Sequence, residues 1–363
     1  MSLENVFFQP SYVKKFFCDG QKCGAQCCKR WIINIDTPTL NEYAQIESLA
    51  KEITSKIKMS TETGFYAVTL DENLNCQFLT AENLCILQKQ YGEKILSSTC
   101  QTFPRSIYQI ADIHERSLSL TCPLVAELAL TPTAPMEFEI VNEIIPRDTK
   151  IVEKIHKVPN EIIPYILEIQ VTAIKILQER NLPLDLRLTA LEIFLDRVEE
   201  SVADGNFNEL NQLAETYQSQ NFLLETFLPL ASKFDLTPPN FIKAMLNGLL
   251  ETFQDGEKYL SALSESLNLR GNFSIDELFT SYVKSKSQRE KFVAKFSTVF
   301  ENYLVNNFFL HLYPYRVDGS ISQNFGVFLT SYKIIELVTF CAAESKSDLI
   351  KIISEFEKKY LGF

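Results

Sequence analysis

The sequence predicts a mainly α protein, a helical bundle-like domain preceded by a small cysteine-rich metal-binding N-terminal region containing short strands. Three observations predict this. Apolar residues recur at three- and four-residue steps through most of the chain beyond residue 130, the period of a helix with one buried face. Glycine is scarce at 11 residues, while Phe reaches 27 and Tyr 14, which suits packed helices better than loop-rich barrels or glycine-cradled nucleotide sites. Eight of the nine cysteines fall between Cys18 and Cys122, in a stretch that is otherwise irregular.

In chain order, Trp31–Asp36 and Phe65–Leu70 have the β-branched and aromatic content of short strands. Thr37-Pro38 has the form of an N-cap followed by proline at the first helical position, opening a helix through Tyr43 and Leu49. Thr131-Pro132-Thr133-Ala134-Pro135 carries two prolines in four positions, which stops regular structure. The domain boundary is expected there, giving a cysteine-rich region at 1–130 and a helical domain at 131–363. Within the latter, Ile166, Ile169, Ala173, Ile176 and Leu177 form one apolar stripe. Leu188, Leu191, Phe194, Leu195 and Val198 form a second, Phe241, Met245, Leu249 and Phe253 a third, and Phe292, Phe296, Val299, Phe300 and Leu304 a fourth. Breaks fall at Pro183, Asp204-Gly205, Pro238-Pro239, Gly271, Pro314 and Gly319, so about eight helices joined by short loops are expected.

Composition narrows the function classes. With 46% hydrophobic and 22% charged residues in 363, the chain can bury a real core. The net charge of −11 argues against a large nucleic-acid footprint. No apolar run approaches the roughly 18–20 residues of a membrane span. The N-terminus lacks a basic stretch followed by an apolar one, so no secretory signal is expected and a cytoplasmic location is.

The cysteines carry the chemistry. Their spacing is Cys18-x4-Cys23-x3-Cys27-Cys28, followed by Cys76, Cys85, Cys100 and Cys122. Thiolates are soft ligands suited to iron–sulfur clusters, zinc and copper(I). Disulfides would need an oxidising compartment, to which nothing in the sequence points, and eight incidental thiols within 105 positions far exceed chance. Zinc ribbons favour C-x2-C knuckles, a spacing that occurs nowhere in this chain. Iron–sulfur sites accept more varied spacing, because a cluster presents several irons to ligands arriving from different directions. A cluster is therefore favoured, with zinc as the alternative. The vicinal pair Cys27-Cys28 is expected to be extended, pointing its side chains apart, so that one partner can meet the distal set. Cys341 is expected to be a packed core thiol, and Trp31 to pack over the metal region. His114 lies within the cysteine region, whereas His156 and His311 show no visible partner. Lys14, Lys15, Lys22, Lys29, Arg30, Arg105 and Arg116 are candidates for stabilising thiolates or for holding a carboxylate.

Four segments carry a family resemblance: CDGQKCGAQCCKRWIINID at Cys18–Asp36, Cys85–Arg105 with its ending SSTCQTFPR, ERSLSLTCPLVAEL at Glu115–Leu128, and ENYLVNNFFLHLYP at Glu301–Pro314. They resemble the flagellin lysine-N-methylases, which are related to a wider group of cysteine-rich zinc- or iron-chelating proteins. The resemblance implies a protein-lysine N-methyltransferase that uses S-adenosylmethionine, with a 4Fe-4S cluster implicated. Flagellin would be the substrate, met before its export. The family pattern falls on Cys18, Cys23, Cys27, Cys28, Cys76, Cys85, Cys100 and Cys122 and supplies no further active-site residue. No glycine-rich dinucleotide-type loop follows a strand, and the C-x3-C-x2-C triplet of radical S-adenosylmethionine chemistry is absent. The competing reading is a non-catalytic zinc- or iron-chelating module serving interaction or redox.

Overall fold

The computed structural model describes residues 4–110, 113–144, 153–154, 160–231, 280, 284–315 and 319–358. The expected apolar stripe at Phe241–Phe253, the breaks at Pro238-Pro239 and Gly271, and His156 lie outside the described residues, as does the side chain of Cys341. The chain divides into two compact units. One holds residues 1–128, 138–154 and 360–363, and the other holds 129–137 and 155–359.

The first unit contains a five-stranded sheet that sequence reasoning missed. Strand β1 (Glu4–Pro10) lies between β6 (Phe138–Ile144) and β5 (Ile113–Leu118), followed by β4 (Arg105–Ile110) and the short β7 (Glu153–Lys154). β1 runs parallel to β5, with Phe7 opposite His114, and antiparallel to β6, with Phe7 opposite Val141. β4 and β5 are antiparallel, from Arg105 opposite Leu118 to Ile110 opposite Ile113. Charged pairs tie the β6 side to its neighbour. Lys14 meets Glu139 at 2.7 Å, and Arg116 grips Glu143 bidentately at 2.6 and 2.9 Å.

A second layer packs its own apolar cluster of Ile33, Ile35, Tyr43, Leu49, Phe78 and Leu87. The expected strand at Phe65–Leu70 is present as β3 (Tyr66–Val68), paired with β2 (Ile57–Met59). Trp31–Asp36 does not form a strand and makes only an isolated bridge between Asn34 and Ala67. The helix expected from Thr37 is present, but its cap is Asp36 rather than Thr37. The Asp36 carboxylate accepts from the Thr39 N–H at 3.0 Å and from its hydroxyl at 2.8 Å. The helix also divides at Ile46 into α1 (Thr37–Gln45) and α2 (Glu47–Lys56). Short helices α3 (Ile86–Tyr91) and α4 (Ser98–Thr102) follow, then α5 (Pro123–Leu130).

The second unit is helical. Among the described residues it holds α6 (Ile166–Leu177), α7 (Leu184–Ala203), α8 (Glu209–Gln218), α9 (Gln220–Phe227), α10 (Lys286–Lys295), α11 (Ser297–Leu310), α12 (Ile321–Ala342) and α13 (Lys346–Phe356). The stripes on α6 and α7 are buried as their spacing predicts. α11 is buried all round, from Val299 to Leu310, and carries Glu301, Asn302, Asn306 and Asn307 into the core with its apolar residues. Its phenylalanines make edge-on contacts that gain beyond area burial, Phe300 with Tyr332 at 5.9 Å and Phe308 with Phe328 at 5.6 Å. α12 and α13 each open with a capping box, Ser320 with Gln323 and Ser345 with Asp348, which satisfies orphan N–H groups in both directions. The proline-rich segment at Thr131–Pro135 is irregular and hydrogen-bonded within this unit. Lys346 Nζ donates to the Thr131 carbonyl at 2.6 Å, Asn302 Nδ2 to Pro132 at 2.9 Å, and Arg180 to Thr133 at 2.7 Å.

Candidate metal centre and helical cavity

The cysteine ligand set is assembled by turns rather than by regular structure. Between Asp19 and Cys28 the chain folds on itself: the Ala25 N–H donates to the Gly20 carbonyl at 2.8 Å and the Cys28 N–H to Ala25 at 2.9 Å. Gly24 and Ala25 both take left-handed conformations, φ 62° and 52°, which Gly adopts freely and Ala only at a steric cost. Gln26–Cys28 then form a single 3-10 turn. The expectation of an extended vicinal pair is corrected here. The two side chains come together, their sulfurs 3.9 Å apart and within hydrogen-bonding reach. Trp31 locks the turn, its indole N–H donating to the Cys27 carbonyl at 2.6 Å.

Backbone pairing brings Cys76 to this turn, and local structure places the other distal cysteines. The Cys76 N–H donates to the Cys28 carbonyl at 2.7 Å, and Arg30 donates to Leu74 at 2.8 Å. Cys85 pairs with Leu79 across an isolated bridge and precedes α3. Cys100 lies in α4, whose cap Ser97 accepts from the Cys100 N–H at 3.4 Å. Asp36 places that helix, because its second carboxylate oxygen accepts from the Ser98 N–H at 2.9 Å, 62 residues away. Cys122 immediately precedes α5. Cys76 and Cys122 are buried, Cys23, Cys27, Cys28, Cys85 and Cys100 are half-buried, and Cys18 is exposed.

Burial sets the thiols' acidity. It pushes Cys76 and Cys122 up to about 11 and Cys100 to about 12. Against this, the Ser97 hydroxyl favours the Cys100 thiolate. Backbone N–H groups of Val125 and Leu124 do the same for Cys122, and those of Gln88 and Leu87 for Cys85, which is nonetheless raised by burial. Cys28 is raised mainly by its hydrogen bond with Cys27, then by burial and by the nearby sulfurs of Cys27, Cys76 and Cys100. Cys18 is raised by burial and by Cys27 and Cys23, while Arg105 opposes the rise. Any metal taken up here therefore displaces protons, so affinity increases with pH.

Thiolates are the donors that a thiophilic centre takes. Among the described residues, no three His, Cys, Asp or Glu side chains are gathered tightly enough to hold a single metal ion. A cluster of several irons takes thiolates arriving from different directions, and thiols are the donors that this segment offers.

Of the basic candidates, Arg105 bears on Cys18 and lies over the Phe16 ring at 5.4 Å. Arg116 is committed to Glu143 and Gln9, and Lys29 donates to Asn83 at 3.0 Å. His114 is buried in the sheet with its ring against Phe7 at 5.3 Å. His311 is buried against Tyr313.

A second feature, unmarked by any sequence motif, lies in the helical unit. A cavity of about 610 Å³ is bordered by Arg187, Asp185, Arg289, Glu290 and Glu336, within the volume range of small-molecule sites. Buried charge stands behind its lining. Lys333, 2% exposed, donates to Asp185 and to Glu336 at 2.9 Å each. Arg187 donates to Glu301 at 2.8 Å.

The sequence profile of the FliB lysine N-methylase C-terminal domain matches residues 170–361, more than half of the chain. The flagellar biosynthetic protein FliU of Salmonella muenchen is 34% identical over 128 residues, covering 34% of this chain and 75% of that protein. The lysine-N-methylases of Salmonella typhimurium strain LT2 and Salmonella choleraesuis strain SC-B67 are each 34% identical over 128 residues, 32% of their length. The alignment thus spans about a third of the curated lysine-N-methylases. No solved structure matches. Among the described residues, no helix is long and apolar enough to cross a membrane.

Proposed function

The chain belongs to the FliB lysine N-methylase family, and we propose that it works as a protein-lysine N-methyltransferase. In this reading flagellin is the substrate, met in the cytoplasm before export, S-adenosylmethionine is the methyl donor, and the N-terminal cysteines hold an iron–sulfur cluster of the 4Fe-4S type. The match over residues 170–361 carries the reading, and the soft-donor chemistry of the eight thiols supports its metal part.

The chemistry states what the chain must provide. A lysine at its ordinary pKa of ~10.4 is protonated and has no lone pair to attack with, so the site must bind the ammonium and take its proton. The freed amine then forms the N–CH3 bond as the S–CH3 bond of the sulfonium breaks, and the thioether leaves. Carboxylates are the groups that bind an ammonium and accept its proton. The helical cavity presents Asp185, Glu290 and Glu336, and the buried ammonium of Lys333 behind it already lies between two of them. Arg289 on the same wall suits an α-carboxylate such as that of the methionine end of the donor.

The test incubates the anaerobically purified full chain with flagellin and S-adenosylmethionine, followed by peptide mass spectrometry. Methyl groups appear on flagellin lysines. Cluster-loaded chain that leaves flagellin unmodified while binding S-adenosylmethionine overturns the substrate assignment. Chain that binds no S-adenosylmethionine overturns the donor.

A further inference from the structure

We propose that the helical cavity binds the carboxylate of an α-amino-acid group, with Arg187 and the first turn of α7 as its anchor. The inference deepens the proposed function, because the methyl donor named there carries such a group, and it rests on the reading of this cavity as the site.

Unbalanced charge locates the anchor. Glu301 is a single carboxylate gripped by two guanidiniums, Arg180 at 2.7 Å and Arg187 at 2.8 Å, so this triad keeps one positive charge in excess. An uncompensated charge in the interior is costly, and burial already holds the Arg187 pKa below the ordinary guanidinium value. Arg187 is 5% exposed. Its Nε donates to the Leu182 carbonyl at 2.8 Å, and its Nη1 to the Leu177 carbonyl and to Glu301 at 3.0 and 2.8 Å. Among the described residues nothing accepts from its Nη2, and Arg187 lines the cavity. Arg180, by contrast, has all its nitrogens engaged, Nε and Nη2 by Glu301 and Nη1 by the Thr133 carbonyl. Arg289, the other cation offered to such a carboxylate, faces Glu336 at 3.9 Å. The spare charge therefore lies at Arg187.

A second, independent observation falls at the same place. α7 starts at Leu184 behind Pro183 with no side-chain cap. Among the described residues the N–H groups of Leu184 and Asp185 have no acceptor, and both residues line the cavity. The first turn of a long helix presents such unpaired N–H groups together with the positive end of its dipole. Arg187 adds a formal charge and a free donor to that turn.

The same residues narrow the ligand class. One excess positive charge balances a monoanion, and the planar edge of a guanidinium matches the two oxygens of a carboxylate. Asp185 and Glu290 in the lining repel a multiply charged phosphate. They suit a cation instead, and Asp185, in the same turn as Arg187 and with half its side chain open, is placed for the α-ammonium beside the carboxylate. A zwitterion answers both charges of this turn.

The test is calorimetric titration of the full chain, purified anaerobically, with two ligands and their decarboxylated counterparts. These are S-adenosylmethionine against decarboxylated S-adenosylmethionine, and L-methionine against 3-(methylthio)propylamine. The carboxylate form of each pair is expected to bind about tenfold or more tightly, the effect of one charged hydrogen bond. Arg187→Met should bind both members of a pair alike. Arg180→Gln, at a side chain 34% exposed, removes the excess charge while keeping the Arg187 donor, and should retain only part of the preference. Should Arg187→Met fail to fold, the wild-type comparison and Arg180→Gln decide. Equal binding of paired ligands by the wild type, no binding of either carboxylate, or a preference undiminished in either variant overturns the proposal. Methionine bound with this dependence by a chain that takes no S-adenosylmethionine supports it and counts only against the donor in the proposed function.

Discussion

Glu301 opens the segment ENYLVNNFFLHLYP and is the buried anchor of the helical unit. It is 1% exposed and accepts from Arg180 at 3.1, 3.0 and 2.7 Å and from Arg187 at 2.8 Å. The two guanidiniums respond oppositely. Arg180, partly exposed, has its pKa raised by its hydrogen bonds to Glu301. Arg187, 5% exposed, has its pKa lowered because desolvation outweighs the attraction. Glu301→Gln keeps the volume and removes the charge, leaving Arg187 buried and uncompensated. Breaking a buried pair from one side costs about 3–5 kcal/mol. The lower end applies, because Arg187 keeps the Leu182 and Leu177 carbonyls at 2.8 and 3.0 Å. At roughly 2–4 °C per kcal/mol for a unit of this size, the helical transition should fall by about 6–12 °C. Circular dichroism melts of wild type, Glu301→Gln, Arg187→Met and the double variant measure it. The double variant should recover part of the loss, since it removes the buried Arg187 charge that Glu301→Gln leaves uncompensated. A drop under about 1 kcal/mol for Glu301→Gln, or a double variant worse than the sum of the singles, would refute this account of the triad.

Three further outcomes are expected. Burial works to raise the Asp36 carboxyl, but hydrogen bonds from Ser98 and Thr39 bring it down to about 2. A carboxyl depressed in the folded state stabilises fully above its unfolded value and loses that contribution as pH falls from about 5 toward 2. For a group this open to solvent the contribution is about 1 kcal/mol, so acid titration of the wild type and Asp36→Asn should converge at the acid end and separate near neutrality. A constant gap would refute the linkage. Trp31→Phe removes the donor to the Cys27 carbonyl and should cost about 1 kcal/mol while speeding iron loss to a chelator; unchanged release kinetics would mean the indole does not hold the turn. Cys341→Ser should leave iron and sulfide content unchanged, and any loss would bring the helical unit into the ligand set.

How much of this was legible follows from the range of each interaction. The helices at Ile166–Leu177 and Leu184–Ala203 announce themselves because their burial repeats within one turn of their own sequence. The sheet does not. β1 gains its partners at Ile113–Glu115 and Phe138–Ile144, more than a hundred residues away, and seven residues alone carry too little pattern to demand a strand. Asp36 shows the same limit at a single residue. Thr37-Pro38 marks a helix start, yet the residue that caps it is also the one that reaches Ser98, and a long-range demand of that kind leaves no local trace.

The geometry of the cysteine region was illegible, for one physical reason. Thiols are selected by residue type and spacing, which a sequence displays, but their arrangement here depends on conformations that spacing does not encode: a left-handed Ala25, a 3-10 turn at Gln26–Cys28 and a bridge between distant segments. The adjacency of Cys27 and Cys28 looks like a redundancy in the sequence. In the fold it lies where the Cys28 carbonyl is drawn to Cys76 in the apolar cluster while the Cys27 carbonyl is held by Trp31.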